Sequence, residues 1–477
     1  MRAGVRVVAG TVWLLLVVIG IAEERPNILV IVADDLGYGD LGCTGHELIR
    51  TPNLDLLAGE GARLTNFYAP ASVCSPSRAA MMTGRNGYRH GIYGFIHTGA
   101  PYVHLPKGEV TLPQLMRKGG YETALIGKWH VSLNDFRKKF KEIPSMEDYG
   151  FDYWYSSDNN TVIKDKPGWW RNGKKLDKQN GYAANLVGKD AVRWLKEEWD
   201  MEKPFFQLVH FYEPHWFVDA PRDLVEGYLG EVSENEAYYY AAVENVDREV
   251  GRILRTLKEE GLEQDTLVFF TSDHGPATLG KGRNRFRNYG TAKPYRGKKY
   301  GLWDGSVHVP GIVRWPGKLK AGTKLEALSG SIDWLPTFCE IAGVDAPKVG
   351  LDGESFVKLL EGKEWKRKKA MEWHHYNATL IESPNPNAVR REENWVICGF
   401  YDARPKGTGR WVPGHMGFIR GAKLRRFEMY DVSKDLGQVQ DVGGIFPKRF
   451  EKMKKALKVS HFEMKNAARG WEQSKKK

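Results

Sequence analysis

Two adjacent carboxylates, Asp34 and Asp35, follow directly on the apolar run at 26–33, and a third, Asp273, follows another such run at 266–271. Carboxylates packed together repel unless a cation joins them. Three of them, with carbonyl oxygens nearby, suit a hard divalent ion, Ca2+ with Mg2+ as the alternative. His274, next to Asp273, would add a nitrogen, a poorer partner for Ca2+ than an oxygen. Any one of these aspartates alone reads as a cap or turn residue; three at the ends of apolar runs read as a metal centre. Cys74 lies in Cys74-Ser75-Pro76-Ser77-Arg78, a loop that turns into a helix. Pro76 suits a first helical position, Ser75 before it suits the cap, and Gly84 suits the stop. Cys74 is therefore expected just before a helix N-terminus, where the macrodipole favours a thiolate. A lone cysteine is more often simply buried. Lys128 and His130 end a third run, His215 follows a fourth, and Lys299 stands in a basic loop. His210 lies inside its run and ranks below His215.

The runs at 26–33, 121–126, 205–211 and 266–271 are rich in β-branched and aromatic residues, as strands buried on both faces are. Helical segments are expected between them, near 52–59, 112–118, 183–198 and 235–259. This alternation predicts an α/β fold with a large central, mostly parallel sheet flanked by helices. Ligands in such sheets bind at the carboxyl ends of the strands, so the four polar clusters should converge. The large domain is expected over 23–365, closing with helices at 332–341 and 355–360. The basic stretch 366–369 reads as a surface linker. A smaller C-terminal α+β domain is expected over 366–477, with short antiparallel strands at 394–400, 417–420 and 424–430 and a basic helix near 447–467.

The first 22 residues read as a signal peptide. Arg2 and Arg6 precede the apolar run 7–21, which is shorter than the ~20 residues a span prefers. The expected location is therefore outside the cytoplasm, periplasmic or extracellular (lysosome-like in a eukaryote), with no stable membrane anchor. Asn159 and Asn377 each stand two residues before a threonine, as glycosylation acceptors do. The chain has 4 widely spaced cysteines, Cys43, Cys74, Cys339 and Cys398, so no disulfide framework is expected. Its net charge of +12 attracts polyanions; export argues against nucleic acid and for anionic glycans. Trp154, Trp169, Trp170, Trp216, Trp303 and Trp411 are candidate sugar platforms, and Arg283, Arg285 and Arg287 candidate cations beside them. His374, His375 and His415 are expected to reach the site from the smaller domain.

The segment around Cys74 resembles the C-x-P-S-R signature of the sulfatase family. Ala33-Asp34-Asp35, Gly127-Lys128-Trp129-His130, Ser272-Asp273-His274-Gly275 and Arg296-Gly297-Lys298-Lys299 are similar to further segments of that family, in its order. His274 departs from the commoner asparagine. The resemblance implies an alkaline-phosphatase-like fold and a sulfuric ester hydrolase. It implies that Cys74 is oxidised to formylglycine by a formylglycine-generating enzyme. One hydroxyl of the hydrated aldehyde would attack sulfur to give a covalent sulfoenzyme, and the other would expel sulfate. It further implies a metal held by Asp34, Asp35, position 74, Asp273 and His274. Arg78 would steady the diol, Lys128 and Lys299 would bind sulfate oxygens, His215 would be the general acid and His130 the base. A sulfated carbohydrate is the expected substrate. The alternatives are a phosphonate or phosphate ester hydrolase of the same superfamily and a non-catalytic protein that binds sulfated glycans.

Overall fold

The computed structural model describes residues 25–98, 100, 102–133, 143–157, 162–277, 287–348, 350–376, 385–402 and 413–471. The stretch 1–22 expected as a signal peptide, Asn159, Asn377, Arg283, Arg285 and Trp411 lie outside the described residues.

In chain order the strands are β1 (Asn27–Ala33), β2 (Ala62–Leu64), β3 (Phe67–Tyr68), β4 (Glu122–Gly127), β5 (Tyr153–Ser157), β6 (Trp169–Arg171), β7 (Lys174–Lys175), β8 (Phe205–His210), β9 (Thr266–Ser272), β10 (Gly311–Arg314), β11 (Thr323–Leu325), β12 (Ser329–Gly330), β13 (Met371–His374), β14 (Ala388–Glu392), β15 (Trp395–Tyr401) and β16 (Leu424–Asp431). A ten-stranded sheet has the order β11-β2-β10-β9-β1-β8-β4-β5-β6-β7. Its centre, from β9 through β1, β8 and β4 to β5, is parallel. β10 closes antiparallel on β9, and β6 antiparallel on β5.

The unbroken apolar character of β1 has a direct physical reason. Ile28, Val30 and Val32 enter one core; Leu29, Ile31 and Ala33 enter another on the opposite face. Helices cover both faces. Pro52–Glu60, Ala183–Arg193 and the 26-residue Glu234–Glu259 supply Leu54, Val187 and Val250 to the second core. Cys74–Thr83, Leu112–Lys118 and Trp334–Ala342 supply Met82, Met116 and Phe338 to the first. Among the described residues no helix is long and apolar enough to cross a membrane, and all four cysteines are unpaired.

A second sheet, antiparallel in the order β13-β14-β15-β16, follows the large one. The helix Pro447–Asn466 lays Met453 and Leu457 on it. The same helix then runs back to the larger body, where Met464 and Ala468 join the first core. Beyond it the Tyr93 hydroxyl donates to the Arg469 carbonyl (2.5 Å) and Trp471 Nε1 to the Gly91 carbonyl (2.8 Å). A stacked pair of buried histidines, His374 of β13 and His461 of the helix, fastens sheet to helix with ring centroids 5.5 Å apart. Burial pushes their pKa values down to about 3 and about 2.

Two expectations are corrected here, and two strands are added. Residues 417–420 belong to the helix Met416–Gly421, not to a strand. β13 and β14 did not stand out in the sequence because charged residues fill them; Glu372 and Arg390 sit opposite each other and pair across the strands (2.5 Å). The stretch 366–369 is more than a linker, because Arg367 is buried and pairs with the buried Asp333.

Candidate active site

Strand register brings the polar clusters together. Ala33 pairs with Ser272, so Asp34 and Asp273 leave the sheet side by side. Val32 pairs with His210, and His210 with Gly127, which sets Lys128 on the other side. The backbone closes these ends: Asp273 N donates to the Ala33 carbonyl (3.1 Å), Asp34 N to Glu213 (3.0 Å) and Lys128 N to His210 (2.8 Å). At Gly127, φ is +106°, and a Cβ would collide with the His210 carbonyl, so only glycine fits the crossing. Asp35 (φ +67°) and His130 (φ +59°) also turn through the left-handed region. For side chains of their kind this costs about 1–3 kcal/mol each and is found where a site over-determines the backbone.

Cys74 is the first residue of the helix Cys74–Thr83, with Val73 as its cap residue. This corrects the expected start by two positions. The Ser75 hydroxyl, read as the cap, instead accepts from the Ile96 amide (2.9 Å). Gly84 ends the helix in the left-handed conformation, as its type suggests. Every residue of this helix is buried, and Ser77 Oγ donates to the Asp273 carbonyl (2.5 Å).

The nine other candidate side chains meet around the Cys74 thiol, and none of the ten is more than 6% exposed. Lys128 pairs with Asp34. Lys299 Nζ lies 2.6 Å from Asp35 Oδ1. Arg78 sends Nε and Nη2 to Asp273 Oδ2, each at 2.9 Å, and Nη1 to the Lys128 carbonyl (3.1 Å). His274 Nε2 is 3.3 Å from Asp35 Oδ1 and 3.5 Å from Asp273 Oδ1. His215 Nε2 is 3.9 Å from Asp35 Oδ2. His130 Nε2 lies 3.0 Å from the Ile96 carbonyl, beside Cys74.

The electrostatics are those of a buried, charge-dense site. Burial alone would raise the Cys74 thiol, yet His130, Lys128 and Lys299 hold it well below its ordinary value. Burial would likewise raise Asp34, yet Lys128, His215 and Arg78 keep it well below the usual carboxylate range. Asp273 is pushed up by burial and by its neighbour Asp34. Burial takes His215 down to about 4 against the pull of Asp35.

Asp34, Asp35, Asp273 and His274 bring four buried ligand atoms within 4.8 Å of one another. Asp34 Oδ1, Asp35 Oδ2 and His274 Nε2 have no hydrogen-bond partner among the described residues. His274 Nδ1 donates to the Gly275 carbonyl (2.9 Å), which leaves the Nε2 lone pair facing the carboxylates. This donor set, three carboxylates and one oriented imidazole, fits a divalent cation.

His210 contributes more than its sequence position suggests. Its Nδ1 lies 3.1 Å from Arg78 Nη1 and 3.0 Å from the Lys128 carbonyl, and burial with Arg78 takes it down to about 3. Glu213, to which the sequence assigns no role, sets the geometry: its Oε1 accepts from Ala184 N (2.7 Å) at the start of the helix Ala183–Arg193, which fixes the turn before His215. A polar residue at the last position of a buried strand was the available signal for the first; none marks the second.

Several candidates lie elsewhere. Trp154, Trp169 and Trp303 are core residues. Arg287 stacks on Tyr238, 3.4 Å from the ring centroid, and donates to the Val218 carbonyl. His374 is the partner of His461. Trp216, half-buried, follows His215 with ring centroids 5.8 Å apart.

A family profile described as Sulfatase matches residues 26–344, and one described as N-sulphoglucosamine sulphohydrolase, C-terminal, matches 296–406. Steryl-sulfatase of Homo sapiens is 29% identical over 503 residues, 87% of this chain and 83% of its own. Arylsulfatase A of Homo sapiens is 32% identical over 379 residues, 73% of this chain and 70% of its own. Among solved structures, Ps i-CgsB in complex with k-i-k-neocarrahexaose shares the fold at a TM-score of 0.78 and 21% identity, over 94% of this chain and 96% of that one.

Proposed function

Because the chain belongs to the sulfatase family, we propose that it is an exported hydrolase that removes sulfate from a sulfated carbohydrate, using formylglycine made from Cys74 and a bound Ca2+. Sulfate ester hydrolysis is the activity its relatives' names carry; the cofactor, the sugar and the location are the reading argued here. The observation that carries it is the thiol's surroundings: a depressed Cys74 ringed by Lys128, Lys299, His130 and the carboxylate cluster.

Asp34, Asp35, Asp273 and His274 would hold the cation, which when bound supplies Lewis-acid polarisation at the sulfate. The hydrated aldehyde would supply two hydroxyls on one carbon, one to take the sulfuryl group and one to release it. Arg78 holds Asp273 in place with two N–H groups. Lys128 and Lys299, drawn to Asp34 and Asp35 before substrate enters, turn their ammonium groups to the sulfate oxygens and offset charge as it grows there. His215, beside Asp35, gives a proton to the departing sugar oxygen; the arriving sulfate's negative charge raises it from its resting value near 4. His130, beside position 74, takes the proton that release of sulfate requires. Burial of all ten groups keeps bulk water out and strengthens each of these interactions.

Trp216 beside His215, the net charge of +12 and the oligosaccharide bound by Ps i-CgsB support a carbohydrate. Arg2, Arg6 and the apolar run after them support export. The test is co-expression with a formylglycine-generating enzyme, mass analysis of the peptide bearing residue 74, and sulfate release from a panel of sulfated monosaccharides. An aldehyde at 74 and release from at least one sugar are expected. Faster cleavage of 4-nitrophenyl phosphate than of 4-nitrophenyl sulfate, with every sugar intact, would overturn the reading.

A further inference from the structure

Apart from the strand-end site, a cleft of about 850 Å3 opens where residues 364–370, strand β14 and the start of the helix Pro447–Asn466 meet. It shares no lining residue with the ten side chains of the Cys74 site. Eight cationic side chains line it against four glutamates, an excess of four out of the chain's +12.

Two of the cations are built into its floor. Arg367 is 9% exposed and paired with Asp333, and Glu354 stands 3.7 Å from its Nε. Arg391 is 2% exposed; it donates to the Tyr68 hydroxyl, to Asn66 Oδ1 (3.1 Å) and, in an ion pair, to both Asp304 carboxylate oxygens (3.4 Å). Both floor guanidiniums are thus paired with carboxylates behind the cleft, and the cations left to act on a ligand stand at its rim, where a concave low-dielectric wall focuses their field outward. Exposed Lys366, Lys368 and Lys452 stand at the rim, and half-buried Trp365 forms part of the wall.

We propose that this cleft is a docking site for a stretch of sulfated polysaccharide, held apart from the bond being cut. The proposal rests on the sulfated-carbohydrate reading above. Planar guanidinium groups match sulfate oxygens in pairs, and an aromatic wall offers a face to a sugar ring. A concavity with a buried floor suits a flexible strand and does not suit a flat lipid surface.

The probe is heparin, titrated calorimetrically into the full chain beside desulfated heparin and an oligothymidylate of similar length. The combined variant Lys366→Glu, Lys368→Glu, Lys452→Glu is compared with Lys174→Glu, Lys175→Glu, Lys178→Glu, which changes the same charge on the exposed β7 region. Melting temperatures of both variants serve as the folding control. The cleft variant should bind heparin roughly tenfold more weakly and the control variant about as the parent does. Turnover of 4-nitrophenyl sulfate should be unchanged in both, while KM for a sulfated polymer rises in the cleft variant alone. Unchanged heparin affinity in the cleft variant would overturn the proposal, as would equal affinity for the oligothymidylate lost in parallel. A parent enzyme that cleaves no sulfate ester but still loses heparin binding in the cleft variant would count against the catalytic reading and for the docking site.

Discussion

At the residue scale the site is a set of pairs waiting for substrate. Cys74→Ala should reduce turnover to background while the melting temperature stays near the parent's, measured with 4-nitrophenyl sulfate and by calorimetry. Lys128→Ala and Lys299→Ala should each lower kcat by about 10²–10³, the usual loss when a group offsetting transition-state charge is removed. His215→Gln separates two leaving groups. A nitrophenolate departs without a proton and should lose little rate; a sugar alkoxide needs one and should slow by about 10²–10⁴. Equal losses on both substrates would remove His215 as the acid. The aspartates, Lys128 and the histidines were legible because each stands within a few residues of the end of an apolar run, whereas Lys299, in a basic loop, was legible only through the family resemblance. The start of the Cys74 helix was not, since Ser75 Oγ is claimed by the Ile96 amide, a residue 21 positions away. Nor were the tryptophans: the same side chain serves a sugar platform or a core, and Trp154, Trp169 and Trp303 serve the core.

At the scale of elements, what positions His215 is a carboxylate reaching across to a helix end. Burial raises Glu213 to about 7, and its Oε2 has no partner among the described residues. A carboxyl whose folded pKa is raised lends stability that is whole below its unfolded value near 4.3 and is lost as pH rises through about 7. The amount is about 3 kcal/mol for a shift of this size. The parent's melting temperature should fall over that window, and Glu213→Gln, which keeps the acceptor for Ala184, should flatten the fall. Asp333→Asn should cost about 3–5 kcal/mol by leaving Arg367 buried without its counter-charge; chemical denaturation checks it. The four central strands were readable because they feed cores on both faces. The edge strands β7 and β11, and β6 beside the first of them, are two or three residues long and carry no usable period. In the smaller sheet, β15 and β16 show their apolar residues, whereas β14 hides behind Arg390 and Arg391, whose charges are met by neighbours the sequence alone does not reveal.

For the whole molecule, the four candidate ligands drawn from residues 34 to 274 come together only when the central sheet is complete, so a cation held there would link metal to fold. Chelation with EGTA should abolish turnover and lower the melting temperature together, and Ca2+ should restore both at lower concentration than Mg2+. At 100–1,000 times the dissociation constant the linkage is worth about 3–4 kcal/mol. Melting unaffected by chelator would count against a structural ion there. The stacked His374 and His461 carry a different consequence. Unfolded histidines take up protons near pH 6.5, but these two resist until far lower. Their contribution is intact above about 6.5 and drains away as the medium sours. Acid should therefore peel the terminal segment 447–471 from the body before the rest melts, exposing it to a protease at pH 5 that finds no purchase at pH 7.5.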